Sequence, residues 1–190
     1  MPKIRKETVM SGSTSSSRKQ KTVARSKSAI ETFIHTLSSH DDVARVKARH
    51  SLVSIGKAAV PSLIKALEDK HYLMRWEAAK ALGEIGDPEA APALVKALED
   101  EEFDVRWLAA EGLIKMNING LKRLLLALEH QGDSVLLREG AHHVVHDLAK
   151  GGLRKYLAPV LTALESVEQR EQVPWAARQA LEMLEGLKSV

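Results

Sequence analysis

Apolar residues recur along this chain at helical spacing. Within 136–149, Leu137, Ala141, Val144 and Leu148 fall at i, i+4, i+7 and i+11. Within 73–86, Met74, Ala78, Ala81 and Ile85 follow the same rule. At about 100° per residue each set forms one stripe, with polar positions on the opposite side. The pattern predicts consecutive amphipathic α-helices.

The helices are copies of one another. "LMRWEAAKALGEIG" (73–86) returns as "DVRWLAAEGLIKMN" (104–117), and "VARVKARHSLVSIG" (43–56), "LLREGAHHVVHDLA" (136–149) and "VPWAARQALEML" (173–184) fit the same frame. A second segment alternates with it: "VPSLIKALED" (60–69), "APALVKALED" (91–100), "LKRLLLALEH" (121–130) and "LAPVLTALES" (157–166), with "IETFIHTLSS" (30–39) as a degenerate first copy. Five helix pairs result. Gly56, Gly86 and Gly120 read as punctuation in short connections, and Asp69 and Asp100 as helix ends. Pro61 and Pro92 fall in first helical turns, where a missing N–H leaves nothing unsatisfied. A pair of about 30 residues cannot bury its own apolar stripe, so the pairs must stack into a solenoid.

The run "MRWEAAKALGEIGDPEAAPALVKALED" (74–100) resembles the short HEAT-like repeats of the phycobilin-lyase type. The resemblance extends over residues 30–187, strongest in the second and third pairs. It implies an all-α, right-handed α-solenoid of about five HEAT-like pairs in residues 28–190. Tetratricopeptide and ankyrin signatures are absent. Proteins with such repeats include scaffolds, chromophore-attaching proteins and an iron enzyme. The iron enzymes, deoxyhypusine hydroxylases, carry repeated His-Glu pairs. The matching positions here read Trp76-Glu77, Trp107-Leu108 and Glu139-Gly140. The histidine is missing each time, so that activity does not carry over.

Opposite the apolar stripe, Trp76, Glu77, Lys80 and Glu84 share the outward side of their helix. The resemblance places this side on the concave surface of the array. By the repeat frame, Trp76, Trp107 and Trp175 occupy one slot. Outward tryptophans serve either as binding anchors or as packing against the next repeat. The expected partner-binding residues are Trp76, Lys80, Trp107, Glu111, Glu139, His143 and Trp175. Arg45, Arg75, Arg106 and Arg138 form a second ladder, read as structural and paired with acids such as Asp104 and Asp133.

His142, His143 and His146 lie with Glu139 within about a 100° arc. That spacing permits a two-His, one-carboxylate metal site. The alternative is a polar helix face. His142-x-x-x-His146 matches zinc-protease spacing, but His143 stands where the general-base glutamate belongs, which argues against a peptidase. Glycines punctuate helices and build no phosphate loop.

Composition adds four constraints. There is no cysteine, so thiolate chemistry is excluded. No apolar run approaches a membrane span and no signal peptide opens the chain, so a cytoplasmic protein without a membrane partner is expected. Residues 1–27 hold eight Lys/Arg against one acid and are Ser-rich, which predicts a disordered basic tail; Met10 is a second place at which the chain could start. Residues 28–190 hold 20 basic and 24 acidic residues. The reading that follows is a non-enzymatic scaffold that binds a protein on its concave face, with no cofactor or metal. Two alternatives stand beside it: a metal-dependent or chromophore-handling enzyme using Glu139, His142, His143 and His146, and weak nucleic-acid binding through the tail.

Overall fold

The computed structural model describes residues 27–186. Residues 1–26, nearly all of the expected basic tail, and 187–190 lie outside the described residues. Lys27, the last residue assigned to that tail, is already helical. Helix α1 covers 27–36. It is followed by α2 (Asp42–Ile55), α3 (Val60–Ala66), α4 (Tyr72–Ile85), α5 (Ala91–Ala97), α6 (Phe103–Lys115), α7 (Ile118–Gln131), α8 (Val135–Leu148), α9 (Arg154–Glu165) and α10 (Gln169–Gly186). No strand occurs among the described residues. No described helix is long and apolar enough to cross a membrane.

Local chemistry sets the boundaries. The Asp41 carboxylate accepts the amides of Val43 and Ala44 and caps α2, and the Ser134 hydroxyl accepts the amide of Leu137 and caps α8. Pro61 and Pro92 open α3 and α5 as expected. Gly56 and Gly86 end α2 and α4 at φ of 71° and 67°, where a side chain would be strained. After α6 that backbone conformation falls to Asn117, at φ 52°. Gly120 was expected there and lies elsewhere. It sits in the first turn of α7, where a Cβ would come within 2.4 Å of the Leu113 carbonyl oxygen. It permits contact between α6 and α7 and punctuates nothing.

The helices form two rows. α2, α4, α6 and α8 pack side by side as an inner row; α3, α5 and α7 form the outer row. Between the rows runs a core of Leu, Val and Ala, with Leu52, Leu63, Leu82, Leu94, Leu113, Leu124 and Leu137 fully buried. The inner row is the tighter one. At its centre a Cβ on Gly83 would lie 3.0 Å from Gly112 Cα, so these two glycines let α4 and α6 meet almost backbone to backbone. The outer row is looser: a groove of about 550 Å³, lined by Ile64, Pro92 and Ala93, separates α3 from α5. Close spacing inside and wide spacing outside bends the array into an α-solenoid with the inner row concave.

The last pair departs from the expected order. α10 packs along α7 and α9, while α9 packs against α8. The pair has exchanged rows: α9 extends the inner row and α10 the outer one. Gly132 admits the exchange, because a Cβ there would lie 2.8 Å from the Pro174 ring. Arg178 of α10 then reaches Glu129 of α7 at 2.7 Å.

Candidate functional site

One edge of the array is the end at which the inner helices begin. It is built by the arginine ladder. In four of the five copies the Nη1 group donates to the carbonyl six residues earlier: Arg45 to Ser39 at 2.8 Å, Arg75 to Asp69 at 3.0 Å, Arg106 to Asp100 at 2.8 Å and Arg138 to Gly132 at 2.6 Å. Each guanidinium thus ties down the loop joining an outer helix to the next inner one. The structural role is as expected, but the acids differ from those named. Arg75 pairs with Asp100 at 2.7 Å and Glu101 at 2.9 Å, Arg45 with Glu77 at 3.1 Å, and Arg138 Nε donates to Gln169. Asp104 instead accepts from the Tyr72 hydroxyl at 3.2 Å, joining α4 to α6. Burial, then that hydrogen bond, pushes the Tyr72 phenol above its ordinary range, so it stays a neutral donor.

Glu77 corrects the assignment of its slot to the outward face. Its side chain is 1% exposed and bonds both Arg45 and Arg49, the latter at 2.9 Å. Position 77 points back at the preceding helix, where two cations wait. Arg49 Nε makes no hydrogen bond, and Glu84 stands 3.6 Å from it.

Of the other slots, Trp76, Trp107 and Glu139 stand on inner-row helices. Trp76 is half-buried against the core, with Lys80 Nζ 4.8 Å above its ring. Trp107, one repeat on, is 46% exposed. Its ring stacks on His143 of α8 at 4.4 Å between centroids, and His143 Nε2 lies 3.0 Å from Glu111 of α6. Trp107, Glu111 and His143 therefore form one cross-helix cluster. Phe103, one turn before Trp107, is 62% exposed with its ring centroid 6.3 Å from the indole. Sequence reasoning passed over Phe103, although its i−4 spacing from Trp107 was the available signal. Val46 on α2 and Val135 on α8 are also exposed, at positions equivalent to Trp76 and Phe103 in the repeat frame. The result is an apolar strip across four helices at the arginine-ladder edge, with charged residues such as Lys80 and Glu111 further along each helix.

Glu139 is exposed at the Trp slot of α8. The histidines divide: His143 turns back to Glu111, whereas His142 lies 3.2 Å from Glu165 of α9, with the His146 ring 6.0 Å away. Among the described residues no three His, Cys, Asp or Glu side chains converge as a metal ion would require. Trp175 is 61% exposed on α10. The row exchange takes it off the inner row, so the three tryptophans do not share one surface.

Stacked two-helix units with a common inner face define a helical-repeat array. The HEAT repeats family model matches residues 30–114. A 65-residue stretch is 40% identical to the phycocyanobilin lyase subunit beta of Pseudanabaena tenuis (strain PCC 7409). It covers 34% of this chain and only 23% of that relative. A solved chain from the complex of CpcE and CpcF of phycocyanin lyase from Nostoc sp. PCC7120 superposes with a TM-score of 0.54 at 25% identity, over 80% of this chain and 98% of that one. Residues 30–114 thus carry HEAT repeats, and the chain is similar in sequence and fold to phycobilin-lyase subunits built from such repeats.

Proposed function

We propose that this protein is a non-enzymatic scaffold that binds a protein partner on its inner face. The observation that carries this reading is the pair Phe103 and Trp107, two large aromatic rings standing in solvent on a well-packed helix. Exposed aromatics on rigid elements supply contact area without further ordering cost and dominate binding energetics. The solved relative is itself part of a two-protein complex, which supports a partner-binding role.

The test pairs affinity capture with thermal melts. Trp107→Ala is expected to melt close to wild type and to lose at least about 2 kcal/mol of partner affinity. Trp76→Ala, which removes packing, is expected to lower stability by about 3 kcal/mol. Partner capture unchanged in Trp107→Ala and in Phe103→Ala would overturn the assignment.

A second reading rests on the similarity to phycobilin lyase subunits. On it, the array handles an open-chain tetrapyrrole, alone or with a partner subunit, near Glu139, His142, His143 and His146. Titration with a free bilin decides it: a red-shifted, saturable absorbance band lost in His143→Ala supports this reading, and an unshifted spectrum removes it.

A further inference from the structure

The inner face leaves one large aromatic without a role. Trp175 is 61% exposed on α10, and the row exchange has carried it to the outer row. Met183, two turns further along the same helix, is 47% exposed. Gln179 stands midway between them and is also exposed. At about 100° per residue the three lie within about an 80° arc. They form one ridge, turned away from the core residues Val173, Ala177, Ala180 and Leu184.

The ridge reads the same in both directions. Trp175 and Met183 are each four residues from Gln179, and Gln172 and Gly186 are each seven. A second copy running antiparallel across Gln179 therefore sets each Trp175 against Met183 of the other copy. That contact joins an indole to a polarisable thioether, a favourable combination. On the axis Gln179 meets itself. An amide both donates and accepts, so the two copies bond each other, where a charge at that position would repel its own image. Gly186 has no neighbour close to it and leaves room for Gln172. The acids of this face sit off the axis. Glu168 accepts from Gln172 at 2.9 Å, and Glu171 and Glu185 lie toward the helix ends. Glu182 comes alongside Arg178 of the other copy, whose Nε is held by Glu129 of its own chain at 2.7 Å.

We infer that α10 pairs with α10 of a second copy, antiparallel about a two-fold axis at Gln179, so that the array self-associates through its outer row. The inference does not depend on the scaffold reading, because the pairing leaves the inner faces uncovered. One pair of helices covers less than the ~800 Å² per partner of a typical stable interface, so the dimer is expected to depend on concentration.

The full chain has no cysteine, so Gln179→Cys gives one thiol per chain. On oxidation it is expected to yield a disulfide-linked dimer. Gln172→Cys is not, because its two copies lie about 21 Å apart in the antiparallel pair. Sedimentation equilibrium reads the dimer of the cysteine-free chain directly. Trp175→Glu is expected to weaken it at least about tenfold. Trp175→Glu/Met183→Lys is expected to restore it, since the two positions face each other across the axis. Phe103→Ser and Trp107→Ser should leave it unchanged. A chain that stays monomeric at every concentration would overturn the inference. So would a dimer that survives Trp175→Glu, one lost in the inner-face variants instead, or cross-linking through Gln172→Cys ahead of Gln179→Cys. Melts of each variant check that the fold is retained.

Discussion

Glu77 shows how a single side chain joins two repeats. A carboxylate at 1% exposure has both of its oxygens met by cations, Arg45 on one and Arg49 on the other. Removing it leaves two cations, one turn apart on α2, without their partner on α4. Glu77→Ala is therefore expected to destabilise by about 3–5 kcal/mol, read from denaturant or thermal unfolding. A surface carboxylate such as Glu102, truncated in the same way, should change stability by less than about 0.5 kcal/mol. The contrast also marks what was legible in the sequence. Trp107 could be placed opposite the apolar stripe from helical spacing alone, because its own helix decides that. The burial of Glu77 could not, because it is decided by which residues of the preceding helix stand opposite. Gly120 was misread for a related reason: a glycine in a turn and a glycine under a neighbouring carbonyl look alike in one dimension.

Between elements, the closest junction is α4 against α6. Gly83 and Gly112 meet there with almost no space for a side chain. Two effects compete on substitution. Replacing a helical glycine by a good helix former gains up to about 1 kcal/mol of propensity. Forcing extra atoms into a packed contact costs about 1–3 kcal/mol. Gly83→Ala adds one carbon at 3.0 Å from backbone, a few tenths of an ångström too close, and the two effects nearly cancel. Gly83→Leu adds four carbons, and crowding wins. The expected result is an unchanged melting temperature for the first and a clear drop for the second, accompanied by a change in small-angle scattering as the inner row opens. The exchange of α9 and α10 belongs to this scale too. The pattern of α10 matches its inner-row counterparts, so periodicity assigned it to the inner row. Only contacts decide otherwise, through Gly132 beneath Pro174 and Arg178 on Glu129.

Across the whole molecule, the fold was readable because its unit repeats: a motif seen several times fixes its own boundaries. The inner face was readable only in part, since exposure depends on curvature and on which helices end up adjacent. The two edges of the array also obey different rules of length. From Pro61 to Arg75, and again from Pro92 to Arg106, is 14 positions, whereas Arg45 to Pro61 is 16 and Arg75 to Pro92 is 17. From Lys122, at the proline position of the third copy, to Arg138 is 16, so the first edge lengthens too, yet Arg138 still reaches the carbonyl six residues back. Two residues inserted between Gly151 and Gly152 should cost about 0.6 kcal/mol or less, the price of a longer loop. The same insertion between Glu101 and Glu102 should strand the Arg106 guanidinium and cost more, by about 1–3 kcal/mol, and paired melts would show it. An array built this way can change length on both margins, but on the ladder margin the extra residues must fall before the six-residue reach of each arginine. That short span recurs from copy to copy like the teeth of a rack, while the rest of the connection is free to drift.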